Sequence, residues 1–416
     1  MARVLVVADD LTGATDTAHA FAKRGYETAV QVDPDGIPPN ATVLAVNTDS
    51  RYAGPGTAAD RVDQAISRTD ASIVYKKIDS TLRGNVESEV EAAMDCGFDR
   101  ALFAPASPAV GRLTACGYHL VDGRLLTDTE YAEDPNGPTN AHLPALFEGL
   151  GRPVGHLGVE TVATGSNAVR EALANDPSKA LVVCDATHDR HLATIARAGG
   201  ELEGATLYVG SAGLAEYVAV PGDPDGASSH PGAVGDGGAL GIVGSVSERS
   251  LEQLSALPEE WVLAIGPEAL LADPEGAGRE AGQQVEKRLA DGQHAVATAA
   301  PDRAAVERTL ELGRDRDLDD EAIRARVARA LAYTAHASIE DAAGLFVTGG
   351  EVAMAVLGRL EVRALSLSGE EIEAGVPVGR IDGGIADGTP VVTKAGGFGS
   401  RETAVNCLRS LGGDHE

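Results

Sequence analysis

Apolar runs of four or five residues, each closed by polar or Gly-rich residues and followed by an amphipathic stretch, recur along most of this 416-residue chain. That alternation is the pattern of parallel strands joined by crossover helices, and it sets the fold class as α/β. In the first half the strand candidates are residues 4–8, 28–32, 43–46, 72–76, 101–104, 180–184 and 206–209, with helical patterns at 14–23, 57–68, 86–94 and 192–198. Between 219 and 238, Gly, Pro, Ser and Asp replace nearly all periodic apolar residues. This predicts a linker separating a domain at 1–218 from one at 239–416, in keeping with roughly 100 to 200 residues per domain. Beyond it, strand candidates resume at 240–243, 262–265, 295–298, 345–348, 363–367 and 390–393. Ile323, Val327, Leu331 and Thr334 turn one helix face toward a core. The charge run at 314–321 reads as a solvated helix approach.

The balance of 34 Lys plus Arg against 63 Asp plus Glu gives a net charge of −29. Such a polyanion repels phosphate backbones and anionic membranes, so neither nucleic acid nor membrane is an expected partner. Both a high-salt cytoplasm and a GC-rich genome account for an acidic chain poor in Lys, and composition leaves the two open. The N-terminus turns acidic after one short apolar run and shows no signal-peptide core, so a cytoplasmic location is expected. No apolar run approaches the roughly 18 residues needed to span a bilayer. Cys96, Cys116, Cys184 and Cys407 form no Cys-x-x-Cys pair and read as small buried side chains.

Three polar clusters close strand candidates of the first half. The first is Ala8-Asp9-Asp10-Leu11-Thr12-Gly13-Ala14-Thr15-Asp16, which puts two carboxylates at the carboxyl edge of a parallel sheet, where open α/β sheets bind ligands. A purely structural account makes Thr12 the helix cap and Asp16 a complement to the helix dipole. That account does not explain two adjacent repelling carboxylates, Asp9 and Asp10, which suit a cation, a base or a polyol hydroxyl. The second cluster, Lys76-Lys77-Ile78-Asp79-Ser80-Thr81-Leu82-Arg83-Gly84-Asn85, concentrates hydroxyls, an Arg fork and a carboxylate. Capping accounts for Ser80 or Thr81 but not for the Lys and Arg. In the third, Asn47-Thr48-Asp49-Ser50-Arg51, Arg51 stands as a carboxylate clamp. The Pro-rich loop 105–112 reads as a turn.

In the second half, Gly244-Ser245-Val246-Ser247, Thr348-Gly349-Gly350-Glu351 and the 394–399 segment around Gly396 and Gly397 follow strand candidates. Glycines there let backbone N–H groups approach a phosphate. None fits a Walker loop or the Gly-x-Gly-x-x-Gly spacing. Three such turns in one domain indicate a nucleotide site, with Lys394 placed to neutralise a phosphate.

The motifs ADDLTGATD, NTDSR, KKIDSTLRGN, GSVS, TGGE, GVPVGRIDGG and TKAGGFG, in this order, resemble those of the four-carbon acid sugar kinase family, over nearly the whole chain. The resemblance implies an N-terminal Rossmann-like domain, a parallel sheet with helices on both faces, that holds a sugar acid. It implies a C-terminal α/β nucleotide-binding domain that holds ATP. Matched by motif, Asp10, Arg51 and the segment Asp79, Ser80, Thr81 and Leu82 would contact the acid, with Arg83 beside them. Ser245, Gly349, Gly350, Glu351, Val352, Gly396 and Gly397 would contact ATP. Where the family continues its Gly-Gly turn with Asp and then Thr or Ser, this chain has Glu351 and Val352, which removes a hydroxyl. Where the family's Pro-rich loop carries an aromatic residue, this chain has Ser107.

The reaction so implied is transfer of the γ-phosphoryl group of ATP to a hydroxyl of an acid such as threonate, erythronate or a 3-oxo relative. Mg²⁺ would bridge the ATP phosphates through few protein ligands. Asp10 is the candidate for orienting the attacking hydroxyl and accepting its proton, with Asp79 the competitor. A homodimer is compatible with the sequence, and the metal ligands are not identified by it. An α/β dehydrogenase is disfavoured because Asp9 and Asp10 stand where pyrophosphate would lie. A catalytically silent nucleotide or sugar-acid sensor is the remaining alternative.

Overall fold

The computed structural model describes residues 2–33, 36–175, 180–226, 237–394 and 396–413. Residues 227–236 of the expected linker lie outside the described residues. The chain divides into two compact units, one comprising Met1–Val30 and Pro38–Gly226, the other Gln31–Ile37 and Ala227–Glu416.

The main strands of the first unit are β1 Ala2–Ala8, β2 Thr28–Gln31, β3 Val43–Asn47, β4 Ala71–Lys77 and β5 Arg100–Ala104. A small antiparallel sheet follows, made of β6 Arg112–Ala115, β7 Tyr118–Val121 and β8 Arg124–Leu125. The main sheet is completed by β9 Val154–Leu157, β10 Leu181–Cys184 and β11 Thr206–Gly210, in the order β2-β3-β1-β4-β11-β5-β10-β9. β1 pairs in parallel with β3 and β4, so that Ala8 stands opposite Asn47 and Lys77. The polar clusters after these three strands therefore leave the sheet at one edge.

Val4 to Ala8 are fully buried, which in a parallel sheet requires cover on both faces. Leu5 and Val7 share a core with Val62 and Ile66 of helix α2 and with Val90 and Met94 of helix α3. Helix α1 is Leu11–Ala22, α2 Pro55–Ser67 and α3 Val86–Asp95. α1 packs on β1, β3 and β4 and buries Ala14, Ala18 and Phe21. Each large apolar side chain so buried contributes about 1.5–3 kcal/mol.

The second unit holds β12 Leu240–Val243, β13 Val262–Ala264, β14 Ala295–Thr298, β15 Leu345–Thr348, β16 Ala364–Glu373, β17 Val376–Asp382 and β18 Pro390–Lys394. Their order is β13-β14-β12-β15-β18-β17-β16. The first five are parallel, and β17 is antiparallel to both of its neighbours. The apolar run at 363–367 predicts only the start of β16, which continues with shifted register to a hairpin turn at Gly375. Of the predicted helix face, Ile323, Leu331 and Thr334 are buried in helix Asp320–Ser338, while Val327 is half-buried.

Cys184 and Cys407 are buried as expected. Cys116 is exposed and Cys96 half-buried, contrary to the expectation for all four. Cys116 occupies the tight turn between β6 and β7 with φ 52°, where a side chain has no core to enter. Among the described residues, no helix is long and apolar enough to cross a membrane.

Candidate functional site

At the carboxyl edge of the first unit's sheet the chain leaves β1 in extended conformation, and Asp10 becomes the cap of α1. Its Oδ1 accepts from Gly13 N at 2.8 Å. Thr12, read from the sequence as the cap, lies inside the helix. An Asp in extended conformation three residues before a free N–H performs that function first. Asp9 is 2% exposed and meets the Arg51 fork in a bidentate pair, Nε to Oδ2 at 2.7 Å and Nη2 to Oδ1 at 3.0 Å. Arg51 Nη1 reaches Asp10 Oδ2 at 2.7 Å. Burial disfavours the charged form of Asp9, but Arg51, with Lys76 and Lys77, outweighs it and holds the carboxyl below its usual range. The fork that the sequence offers as a substrate clamp is thus mostly engaged by the protein's own carboxylates.

The 79–82 segment forms a turn closed by Leu82 N donating to Asp79 O at 2.9 Å, with Leu82 at φ 57° and its side chain in the core. Neither Ser80 nor Thr81 caps α3, which starts only at Val86. Asp79 Oδ2 accepts from Thr81 Oγ1 at 2.5 Å and from Arg83 Nε at 2.6 Å. Burial pushes the Asp79 carboxyl up, yet Arg51 and Arg83, with the hydrogen bonds from Arg83 and Thr81, hold it well below the ordinary carboxylate range. Gly84 has φ 96°, and a Cβ there would stand 3.2 Å from Asp9 Oδ2 and 3.3 Å from Arg51 Cγ, so the turn lies directly on that ion pair. The structure thereby brings Asp10, Arg51, Asp79 and Arg83 into one cluster.

Several further residues support this cluster, among them Lys76, Ser50 and Asn85 from within the motifs and Glu89, His119 and Asn136 from outside them. Lys76 is fully buried and pairs with Glu89 of α3 at 2.8 Å, while Ser50 Oγ donates to the other Glu89 oxygen at 2.5 Å. Asn85 Nδ2 donates to Ser50 O and Ala53 O, each at 2.9 Å, and Asn136 Nδ2 to Arg51 O at 2.8 Å. His119 of β7 sits between Thr114 Oγ1 at 3.0 Å and the Ser80 carbonyl at 2.8 Å. Because a carbonyl only accepts, Nε2 carries the ring proton and Nδ1 accepts from Thr114. Burial brings His119 down to about 4, so the ring is neutral.

In the second unit, β12, β15 and β18 are neighbours with Val243 opposite Thr348 and Thr348 opposite Lys394, so their Gly-rich turns share one edge. Gly349 has φ 98° and ψ 116°, and a Cβ on it would lie 2.9 Å from Ser245 N. Ser247 caps helix Glu248–Ser255. Ser247 Oγ and Ser250 Oγ face the Gly396 carbonyl at 2.9 and 3.0 Å, and a Cβ on Gly396 would collide with Ser245 Oγ. Around Gly350 and Gly397 the space is open. Ser245 is in contact range of both Gly349 and Gly396, and two helices begin there, Glu248–Ser255 and Gly350–Arg359. Backbone N–H groups, hydroxyls and helix amino ends form a donor set that fits a phosphate chain.

Val352 is buried, and its side chain fills the space beside Gly244 that a Cβ would need. Glu351 is exposed, 3.6 Å from Arg324. The third turn is fastened by Gln253 Nε2, which donates to Phe398 O at 3.0 Å and Ser400 O at 2.7 Å. Glu373 adds to this, accepting from Ser400 N at 3.1 Å and Asn406 Nδ2 at 2.8 Å. Lys394 is buried with Nζ 3.1 Å from Phe398 O, and burial brings its ammonium down to about 8.

Two family models match the chain, a sugar-binding N-terminal domain over residues 4–218 and a nucleotide-binding C-terminal domain over 240–404. The chain is 34% identical over 430 residues to a D-threonate kinase of Salmonella typhimurium, covering 98% of this chain and 97% of that one. It is 32% identical to a D-erythronate kinase of Heliobacterium modesticaldum, covering 99% and 97%. To a 3-oxo-tetronate kinase of Methylobacterium radiotolerans it is 33% identical, covering 95% and 96%. The fold is shared with a solved protein of Salmonella typhimurium LT2, with a TM-score of 0.82 at 23% identity over 99% of this chain and 100% of that one. Fold and matches together define a two-unit α/β protein with a sugar-binding and a nucleotide-binding domain. The chain belongs to the four-carbon acid sugar kinase family.

Proposed function

We propose that this chain transfers the γ-phosphoryl group of ATP to a hydroxyl of a four-carbon sugar acid of the threonate, erythronate or 3-oxo-tetronate type. The observation that carries this reading is Asp10, a part-exposed carboxylate anchored by Gly13 N–H and Arg51 at the sheet edge of the unit matched as sugar-binding. Phosphoryl transfer asks the protein for positioning and charge stabilisation more than for covalent work. Asp10 would orient the attacking hydroxyl and accept its proton. Asp79 is the weaker candidate for that step, since its two Arg neighbours hold it ionised and lower its basicity. It suits the role of acceptor for the substrate's other hydroxyls, beside Ser80, whose hydroxyl has no protein partner among the described residues. Thr81 and Leu82 would contribute backbone groups, because the Thr81 hydroxyl is committed to Asp79 and the Leu82 side chain is in the core. Arg51 and Arg83 would border the acid, holding Asp10 and Asp79 in place against it.

ATP would be held by Ser245 and by the backbone at Gly349, Gly350, Glu351, Val352, Gly396 and Gly397. The packed Val352 side chain leaves only its N–H for this. Mg²⁺, bound with the nucleotide, would neutralise charge on the phosphates. Lys394 would meet the same anion. Small-molecule substrates and a cytoplasmic location complete the reading, with neither nucleic acid nor membrane as partner.

The test is ADP release from ATP and Mg²⁺ across a panel of four-carbon sugar acids, with the phosphorylated product identified by NMR. ADP formed with one acid and not with the corresponding polyols supports the reading. Binding of acid and nucleotide without turnover would favour a silent sensor, and absence of both would defeat the proposal.

A further inference from the structure

Four cationic side chains are concentrated at the first unit's sheet edge, and three are already paired. Arg51 is on Asp9 and Asp10, Arg83 on Asp79, and Lys76 on Glu89. The fourth is Lys77, the last residue of β4. It is only 5% exposed, and its ammonium has no hydrogen-bond or ion-pair partner among the described residues. Its position is fixed by one relation: a Cβ on Gly13 would stand 2.6 Å from Asp10 Oδ1 and 3.0 Å from Lys77 Nζ. The ammonium and the Asp10 carboxylate thus flank the same spot at the amino end of the 12-residue helix α1.

A buried ammonium with no hydrogen-bonded counter-ion is costly even with the charges of Asp9 and Asp10 nearby, and the helix amino end adds positive potential to it rather than relieving it. A desolvated anion at that spot satisfies both. Building on the reading under Proposed function, we infer that Lys77, together with the amino end of α1, is the subsite for the carboxylate of the sugar acid. The substrate then lies with its carboxylate on Lys77 and a hydroxyl on Asp10. Arg51, the clamp expected from the sequence, serves instead to position Asp10. An uncharged polyol has nothing to offer Lys77, so this residue sets the preference for acids.

The experiment is calorimetric titration of the full chain, without nucleotide, with the acid that the panel identifies, alongside threitol and erythritol as competitors. Lys77→Met should weaken the acid by about 10- to 100-fold, the range of a charge-assisted hydrogen bond, and leave the polyols within about twofold. Lys77→Arg should restore most of the acid affinity. Unchanged acid affinity in Lys77→Met, or equal weakening of acid and polyol, would overturn the assignment. If Lys77→Met does not fold, Lys77→Gln is judged by the same two criteria. If the wild type binds no four-carbon acid, the functional reading fails, and the subsite is then tested with glycolate alone. Thermal stabilisation of the wild type by glycolate that disappears in Lys77→Met keeps the subsite, and any other pattern removes it.

Discussion

Arg51 donates to Asp10 across 2.7 Å while its Nε and Nη2 close on Asp9, so one guanidinium fixes both acids that follow β1. Arg51→Ala would leave Asp9, 2% exposed, without its bidentate partner and would release Asp10. Breaking such a pair from one side costs about 3–5 kcal/mol. The variant should melt well below the wild type, and kcat should fall together with acid affinity while the KM for ATP stays nearly constant. Lys at this position cannot form the fork and should rescue little. A variant with wild-type melting temperature and kcat would show that Asp9 and Asp10 need no such anchor.

Asp10→Asn keeps shape and removes the basic oxygen. kcat should drop by about 10² to 10⁴, the range of acid–base catalysis, with smaller changes in the binding of either substrate. Asp79→Asn should act mainly on the KM for the acid, since an ionised carboxylate paired with Arg83 and in the field of Arg51 is a poor proton acceptor. The reverse pattern in steady-state kinetics would exchange the two roles.

His119 predicts a dependence on pH. Its folded pKa is depressed from 6.5 to about 4 by burial, so the folded state disfavours the protonated ring. The stability contributed by the neutral ring is present above about pH 6.5 and is lost as pH falls toward 4. His119→Asn should flatten this part of the melting-temperature profile. It should also loosen the Asp79 turn, because Ser80 loses the donor to its carbonyl, and raise the KM for the acid. An unchanged acid limb in the variant would assign the loss to other groups.

Gly349→Ala combines a φ of 98°, a region nearly reserved for glycine, with a Cβ placed 2.9 Å from Ser245 N. Strain of this kind costs on the order of 1–3 kcal/mol. Fluorescent-nucleotide titration should show weakened ATP binding, with acid binding unaffected. Equal loss of both ligands would mean a general unfolding.

The net charge of −29 predicts a response to salt. If it is an adaptation to a high-salt cytoplasm, screening by KCl should relieve carboxylate repulsion and raise the melting temperature steeply from dilute buffer to molar salt. A flat profile would favour the codon-composition account.

Much of the architecture is legible in the sequence because buried parallel strands are written as apolar runs: those at 240–243, 295–298 and 345–348 coincide with β12, β14 and β15. The small sheet at 112–125 is not legible, since its strands are only two to four residues long and polar Thr114 and His119 stand at buried positions. β17 is hidden by Pro377 and Gly379, which interrupt its apolar pattern. In the site, the clustering of Asp9, Asp10, Arg51 and Asp79 follows from strand order, and the motifs mark each member. What the sequence does not reveal is which charges pair. Arg51 and Lys77 look equally available in a linear string, and only the register of β3, β1 and β4 engages one and leaves the other. His119 and Asn136 have no signal at all, because each acts through a main-chain carbonyl distant in sequence.

The Lys76–Glu89 pair has a consequence for how this unit can evolve. With side chains 0% and 2% exposed, neither partner has water to fall back on. Loss of either one alone removes several kcal/mol from a net stability that for domains of this kind is only about 5–15 kcal/mol. Replacement of both by apolar side chains of similar volume is often neutral or stabilising. The two positions therefore lie on opposite rims of a valley that single substitutions cross only through a crippled protein. Lineages should retain the ion pair or exchange it for a hydrophobic pair, with the mixed states rare.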